Sequence, residues 1–247
     1  MIKLERYFTP AFLTPTFVKI KTDEFKAKES TVWDIAELKL ALLELSYGKC
    51  AYCECDLKEE SKYMEVEHFE DKKYNSDKVL EWENLLPSCK RCNGSKSTHD
   101  VKVKPIINPF KDKPSDHLVF RLFQIKGKTE LGIETVDTIN LNHTERAVLK
   151  RFEIGEGLEK LIDDAVERLK LYQGDNTTKR KNRLLNIVEG ILKECQPNSM
   201  YSATCATILH SNENYKLLKT TLNTLSLWSL ELNELDIESM KHILEIK

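Results

Sequence analysis

Three short strings between residues 50 and 96 decide how this chain folds: Cys50-Ala-Tyr-Cys53, Glu65-Val-Glu67-His68-Phe69 and Pro87-Ser-Cys89-Lys-Arg-Cys92-Asn93-Gly-Ser-Lys96. Two cysteine pairs, each with two residues between the cysteines, bracket a histidine. A Cys-x-x-Cys pair binds one metal ion from a tight turn, and two such pairs complete the tetrahedral thiolate shell of structural zinc. We therefore predict that Cys50, Cys53, Cys89 and Cys92 bind structural Zn²⁺.

The composition is that of an ordinary globular protein. The chain has 247 residues, 40% of them apolar, and a formal net charge of -2, so any nucleic-acid partner must be bound by local basic patches. Seven cysteines, four of them in metal-type pairs, fit a reducing compartment better than a disulfide framework. The N-terminus lacks the apolar core of a signal peptide, and no apolar run reaches the ~20 residues of a membrane span. We expect a cytoplasmic protein with no membrane contact.

Periodicity around the cysteines predicts how the motif is built. Apolar residues recur at helical spacing from Ser30 or Thr31, either of which is the expected N-cap, to Gly48, the expected stop. This helix leads into the first cysteine pair. Residues 62–68 alternate as a strand does, which places His68 at a strand end. Ser88 is a capping signal for a short helix that carries the second pair. Strands and a helix around one metal ion are the expected result.

These residues resemble the HNH endonucleases, which have a ββα-metal active site on a zinc-binding frame. The family pattern is an acidic residue before His, an Asn before an apolar residue, and a His or Asn on the helix. Here these positions are Glu67-His68, Asn84-Leu85 and Asn93. The resemblance implies that His68 is the general base and that Glu67 and Asn93 hold one divalent cation. It also implies that Asn84 braces the loop that orients His68.

Two departures from the family pattern bear on the catalytic metal. Glu67 stands where Asp is more usual, and Asn93 stands where His is common. Both supply oxygen donors, which suit Mg²⁺ or Mn²⁺ better than a catalytic zinc ion. An imidazole titrates near neutral pH and can take a proton from water, while a bound cation stabilises charge developing on a phosphate. The predicted reaction is phosphodiester hydrolysis, with no chemical role for the structural zinc.

Other interpretations of the same motif are open. A four-cysteine shell can be a purely structural module that binds nucleic acid without cutting it. Cys55 lies beside the first pair and could compete as a ligand, but the spacing favours Cys53 and makes Cys55 an ordinary buried thiol. Glu65 shares a strand face with Glu67 and could be a second metal ligand, but a solvated carboxylate is the simpler interpretation. Mg²⁺-dependent turnover distinguishes a nuclease from a silent module.

Basic residues on the predicted short helix favour contact with a nucleic-acid backbone. Lys90, Arg91 and Lys96 can neutralise phosphates beside the motif, whereas the segment before it is strongly acidic. We predict these three residues as the nucleic-acid contacts.

The chain divides into three predicted regions. Residues 1–29 contain two prolines and no clear periodicity, which predicts an irregular N-terminal arm. Residues 30–145 form the predicted HNH nuclease domain with its zinc site, and residues 146–247 form a helical C-terminal region whose first helix is expected to break near Gly155 and Gly157. The predicted fold class is α+β and mostly α-helical, with a zinc-stabilised, treble-clef-like ββα-metal core embedded among helices.

Over residues 30–155 the resemblance narrows. A Trp-bearing helix before the first cysteine pair, the string Val66-Glu-His-Phe69 and the string Trp82-Glu-Asn-Leu-Leu-Pro-Ser-Cys89 look like the PtuB-like HNH subunits of Septu-type and retron-associated antiphage defence systems. This resemblance implies an antiviral nuclease with an ABC/SMC-like, PtuA-like ATPase as partner. A retron would add a reverse transcriptase and its multicopy single-stranded DNA. DNA is the preferred substrate, with RNA, including tRNA, as the alternative, and a silent zinc module that regulates the ATPase is the non-enzymatic alternative.

Overall fold

A two-stranded sheet and a short helix lie in the first of the two units into which this chain folds. The computed structural model describes residues 1–57 and 64–247. Met1–Leu118 and Ile125–Asn142 form the first unit, and Val119–Gln124 and His143–Lys247 form the second. Part of the predicted strand over residues 62–68, namely Lys62 and Tyr63, lies outside the described residues.

Helices make up most of the regular structure, which confirms the predicted α+β, mostly helical class. In chain order the helices and strands are α1 (Pro15–Lys28), α2 (Ala36–Leu45), β1 (Met64–His68), β2 (Leu85–Cys89), α3 (Lys90–Lys96), β3 (Leu118–Arg121), β4 (Gln124–Gly127), α4 (Glu130–Ile139), α5 (Leu149–Gly174), α6 (Thr178–Glu194), α7 (Ser202–Ser211), α8 (Glu213–Thr224), α9 (Leu230–Met240) and β5 (Glu245–Ile246). None of the helices in the described part of the chain is both long enough and apolar enough to cross a membrane.

The predicted ββα core consists of β1, β2 and α3. The two strands pair antiparallel, so that Met64 lies opposite Cys89 and His68 lies opposite Leu85. Helix α3 follows β2 directly, and its N-cap is Cys89. The prediction that Ser88 caps this helix is wrong, because the strand continues through Ser88 and buries its side chain.

The predicted irregular arm over residues 1–29 is also wrong, since half of it is the helix α1. The Thr14 hydroxyl accepts a backbone N–H of the first turn at 3.2 Å, and Pro15 occupies the first helical position, where its missing N–H costs nothing. The helix lacks an apolar stripe, and Thr22 is its buried residue. Because apolar periodicity is the main sequence signal for a helix, only the Thr-Pro pair could have revealed α1.

The helix before the first cysteine pair is shorter than predicted. It begins at Ala36 instead of after Ser30, and the residues between them form turns. It ends at Leu45, and Gly48 follows with a φ of 78°, a left-handed conformation that favours glycine. The late start leaves Trp33 in the turn region, where its ring meets the candidate active site described below.

The second unit is built from α5 to α9, with β3 and β5 paired in parallel. The predicted break in its first helix is wrong, because α5 runs without interruption through Gly155 and Gly157. A Cβ atom added at Gly155 would lie 2.6 Å from the Phe123 ring and 2.7 Å from the Ile208 side chain. Gly155 therefore permits close packing inside the helix, whereas Gly157 faces open space.

A buried polar cluster joins α7, α8 and α9 in this unit. The carboxylate of Asp236 accepts hydrogen bonds from the Tyr215 hydroxyl and, at 2.6 Å, from the Lys219 ammonium. The Ser239 hydroxyl lies 2.7 Å from Nε2 of His210. Burial, followed by the bond to Asp236, raises the pKa of Tyr215. The cluster satisfies polar groups that would be costly to bury alone.

Candidate active site and cysteine cluster

The first cysteine pair lies in a tight turn between α2 and β1. The Cys50 N–H donates to the Cys55 carbonyl at 2.9 Å, and the Leu57 N–H donates to the Gly48 carbonyl at 2.8 Å. Lys49 and Asp56 pair across the turn as a single antiparallel bridge. The turn therefore directs several sulfur atoms toward one point, which is the geometry that a zinc-binding knuckle requires.

The structure gathers five thiols at this point. The sulfur atoms of Cys50, Cys53, Cys55 and Cys89 all lie within 4.8 Å of one another, with 3.8 Å between those of Cys53 and Cys89. Cys92 is fully buried, and the neighbouring thiols of Cys50, Cys53 and Cys89, that of Cys50 first, raise its pKa. Cys55 is thus part of the cluster, contrary to the prediction of an ordinary buried thiol. Cys55 and Cys92 compete for the fourth place in a tetrahedral shell.

The chemistry of this donor set fits zinc. Hydrogen bonds from neighbouring thiols, that of Cys50 first, lower the pKa of Cys89 to about 4 and hold the pKa of Cys53 well below its ordinary value. Burial raises the pKa of Cys50. Two thiols are therefore ready to ionise, and thiolates are the ligands that structural Zn²⁺ prefers.

His68 ends β1 and is 3% exposed. Its Nε2 lies 3.0 Å from the Val79 carbonyl oxygen, so Nε2 carries the hydrogen and Nδ1 keeps its lone pair. The Trp33 ring packs edge-on against the imidazole, with 4.6 Å between the ring centroids. Burial lowers the pKa of His68 to about 4, so the ring is neutral at pH 7 and its Nδ1 can accept a proton.

Asn84 connects the loop after β1 to the turn before β2. Its side-chain oxygen accepts the Glu70 N–H at 2.7 Å, and its amide group donates to the carbonyls of Glu70 and Lys78 at 3.1 Å each. Its backbone carbonyl accepts the Phe69 N–H at 2.8 Å. These bonds hold the segment directly after His68, which is the geometry that a bracing residue needs.

Lys96 lies in the interior beside β1, so its prediction as a nucleic-acid contact is wrong. It is 2% exposed, and its ammonium lies 2.6 Å from Oε1 of Glu67 and donates to the His68 carbonyl at 2.9 Å. Lys96 follows Cys92 by four residues and therefore shares the inward face of α3. Burial raises the pKa of Glu67 to about 7, although Lys96 acts in the opposite direction.

The other two predicted nucleic-acid contacts differ from each other. The Arg91 guanidinium donates to the Asn140 carbonyl at 2.8 Å and to the Cys92 sulfur at 3.3 Å. Its role in this structure is to connect α3 to the end of α4 and to the cysteine cluster. Lys90 is exposed and can reach a phosphate.

Asn93 bonds to Glu65 across the core. The Asn93 amide group on α3 donates to Oε2 of Glu65 on β1, and both side chains are half-buried. The pair lines a cavity of about 440 Å³ that also borders Glu67 and His68. Three of the predicted active-site residues, all except Asn84, are therefore brought to one cavity.

The cavity also contains residues that the sequence motif did not single out. Trp33, Asp71 and Lys72 line it, and the Lys72 ammonium lies 5.3 Å from the centroid of the Trp33 ring. Lys72 provides a cationic side chain on the cavity wall, whereas the ammonium of Lys96 on α3 is buried against Glu67. Lys72 follows an acidic stretch, so composition does not predict a phosphate contact there. Only its position shortly after His68, at the end of the strand, could have indicated that Lys72 lies beside the site.

Comparison with known proteins gives a consistent result. The HNH endonuclease family profile matches residues 50–99, which include both cysteine pairs. The chain is 45% identical over 249 residues to the Septu protein PtuB of Bacillus thuringiensis, covering 99% of this chain and 95% of that protein. It is 26% identical over 285 residues to the Septu protein PtuB of Bacillus mycoides strain KBAB4, covering 90% and 96%. No solved structure shows a significant match.

Proposed function

This chain belongs to the PtuB family of Septu antiphage defence and is an HNH-type nuclease, and from that premise we propose that it cleaves DNA with His68 as the general base. The observation that carries the proposal is the state of that imidazole. His68 is buried, neutral and bonded through Nε2 to Val79, while its ring borders the cavity that also contains Asn93. Nδ1 is then the atom that accepts a proton from the attacking water.

The residues around His68 hold it in place for this step. Val79 fixes the tautomer, the Trp33 ring restricts rotation of the imidazole, and Asn84 fixes the loop that follows. Lys72 supplies positive charge for a phosphate group entering the cavity. Preorganised groups of this kind lower the barrier because they need no rearrangement during the reaction.

The donor set on the cavity wall fits a hard cation. Asn93 and Glu67, the pair that the resemblance assigns to the metal, provide amide and carboxylate oxygens, as Mg²⁺ and Mn²⁺ require. A bound cation would neutralise charge that develops on the phosphate. We propose Mg²⁺ or Mn²⁺ for this place and Zn²⁺ for the cysteine cluster.

We also propose an ABC/SMC-like, PtuA-like ATPase as a cytoplasmic partner, because only two of the described residues that line the cavity, Lys39 and Lys72, are basic, and Lys39 pairs with Asp34. The second unit has exposed apolar side chains that such a partner could cover, among them Leu217 and Leu230, which are 57% and 74% exposed. Replacing both with Asp should abolish co-purification of the ATPase from a folded variant, and unchanged binding would contradict the docking proposal. The same co-purification experiment tests whether a retron reverse transcriptase and its multicopy single-stranded DNA bind this chain.

Nuclease assays test the central proposal. Zinc-loaded protein, with and without the ATPase, is incubated with plasmid DNA, single-stranded DNA and total tRNA in the presence of Mg²⁺, Mn²⁺ or EDTA. We expect metal-dependent cleavage of DNA that His68→Ala abolishes and the control His143→Ala retains. Cleavage of tRNA alone would establish RNA as the substrate instead. Equal cleavage by His68→Ala would show that another residue is the base, and no cleavage of any substrate would favour a silent zinc module.

A further inference from the structure

The bond between Asn93 and Glu65 joins the helix and the strand of the ββα core at the cavity. Asn93 is the residue that the resemblance assigns to the metal, and its amide nitrogen is the atom that donates to Glu65. The amide therefore orients Oδ1 away from the bond, which leaves that oxygen for a cation. Glu65 keeps a second carboxylate oxygen that the bond to Asn93 does not use.

The two carboxylates of β1 differ in how their charge is balanced. Glu67 is buried against the ammonium of Lys96, at 2.6 Å. Glu65 is half-buried at the cavity and forms no ion pair within the described part of the chain; its bond to Asn93 is to a neutral group. A carboxylate in a partly desolvated position needs a positive partner, and a divalent cation at the cavity wall would supply it.

We infer that Glu65 is a third protein ligand of the catalytic cation, beside Asn93 and Glu67. Three oxygen donors from one strand and one helix would leave the remaining positions of an octahedral ion for water and phosphate, as Mg²⁺ sites usually do. Lys96 offsets the charge of Glu67, so the net charge at the site stays compatible with an entering phosphate. The inference rests on the proposed function, because it assigns a ligand within the same active site.

Mn²⁺ binding measured by electron paramagnetic resonance tests this inference without relying on activity. Zinc-loaded wild type, Glu65→Gln and Asp34→Asn are titrated with Mn²⁺, and the signal of the free ion gives the affinity. Gln at position 65 can still accept the Asn93 bond through its side-chain oxygen, so the substitution removes the charge while keeping the position of Asn93. Asp34→Asn is the matched control, because Asp34 lines the same cavity and pairs with Lys39.

We expect Glu65→Gln to weaken Mn²⁺ binding by about 10- to 100-fold, the range known for lost supporting groups of metal sites, and Asp34→Asn to change it little. Zinc content and the circular dichroism spectrum should match wild type in both variants. Wild-type affinity in Glu65→Gln would overturn the inference and leave the proposed function standing. An equal loss in both variants would also overturn it, since only the cavity's total charge would then matter. A wild type that binds no Mn²⁺ would instead contradict the metal-dependent function.

Discussion

Replacing Lys96 with Met should convert a buried ion pair into a lone buried carboxylate. Lys96 is 2% exposed, and its ammonium contacts Glu67 and the His68 carbonyl. Methionine fills a similar volume but donates no hydrogen bond. The variant therefore tests the ion pair with little disturbance of packing.

The size of the effect follows from the burial of both groups. Removing one partner of a buried ion pair costs about 3–5 kcal/mol in the free energy of unfolding. The carboxylate can reduce this cost by taking up a proton. Burial already raises the pKa of Glu67 from 4.5 to about 7 with Lys96 in place, and without that cation the pKa must rise further. Because the folded-state pKa of Glu67 lies above its ordinary value of 4.5, the stability that this group contributes is fully present below pH 4.5. That contribution is lost as the pH rises through the folded-state pKa.

The destabilisation by Lys96→Met should accordingly be larger at pH 8 than at pH 5.5. Each further pH unit over which Glu67 stays protonated corresponds to about 1.4 kcal/mol. Urea unfolding of zinc-loaded protein at the two pH values measures this difference. Trp33 and Trp82 lie in the first unit and Trp228 in the second, so a Trp228→Phe background makes the fluorescence report on the first unit. Other titrating groups cancel in the comparison with wild type.

The double variant Glu67→Gln/Lys96→Met provides the control. It has no buried charge at either position, so it should be more stable than Lys96→Met at pH 8 and should show a smaller pH dependence. An equal loss of stability in Lys96→Met at both pH values would refute the titration of Glu67 as the cause. A neutral double variant no more stable than the single variant at pH 8 would refute the lone buried carboxylate.

Five further substitutions test other parts of the fold. If Cys92 completes the shell, Cys92→Ser should lower the zinc content to well under one ion per chain, whereas Cys55→Ser should retain the ion. Metal analysis of the two variants measures this, and the reverse pattern would assign Cys55 as the ligand. Gly155→Ala should lower the free energy of unfolding by about 1–3 kcal/mol through overpacking. Gly157→Ala should raise it by up to about 1 kcal/mol through its higher helix propensity. Urea unfolding measures both changes. Asp236→Asn should destabilise the second unit by about 1.5–3 kcal/mol, because it removes the charged acceptor for the partly exposed Lys219 ammonium, and an unchanged Trp228 fluorescence transition would contradict this.

The sequence was most informative where chemistry requires a fixed spacing. The cysteine pairs predicted the cluster, and Asn93 was placed correctly on the short helix that carries the second pair. Spacing works here because a metal site constrains backbone geometry directly. Spacing did not reveal that Cys55 belongs to the cluster. The backbone hydrogen bond between Cys50 and Cys55 closes the turn that holds the first pair and so brings a third sulfur atom close to the other two.

Local patterns failed where tertiary packing decided the outcome. Lys96 has the same charge as Lys90, and its sequence position beside a nucleic-acid motif suggested phosphate contact. Only the direction in which each side chain leaves α3 separates them, and that direction depends on how the helix packs on β1. Trp33 was assigned to a helix from its spacing, yet it lies in a turn against His68. Long-range contacts of this kind carry no local signal.

Helix α3 connects the cysteine cluster to the active site. It has 7 residues, too few to be stable as an isolated helix in water, so its orientation must come from the groups that hold its ends. Cys89 caps its start and Cys92 enters the cluster one turn later. Asn93 and Lys96 follow on the same short helix and reach the cavity and the Glu67 carboxylate. We therefore expect loss of the proposed zinc ion to misplace the active-site groups, although the proposed mechanism gives that ion no chemical role.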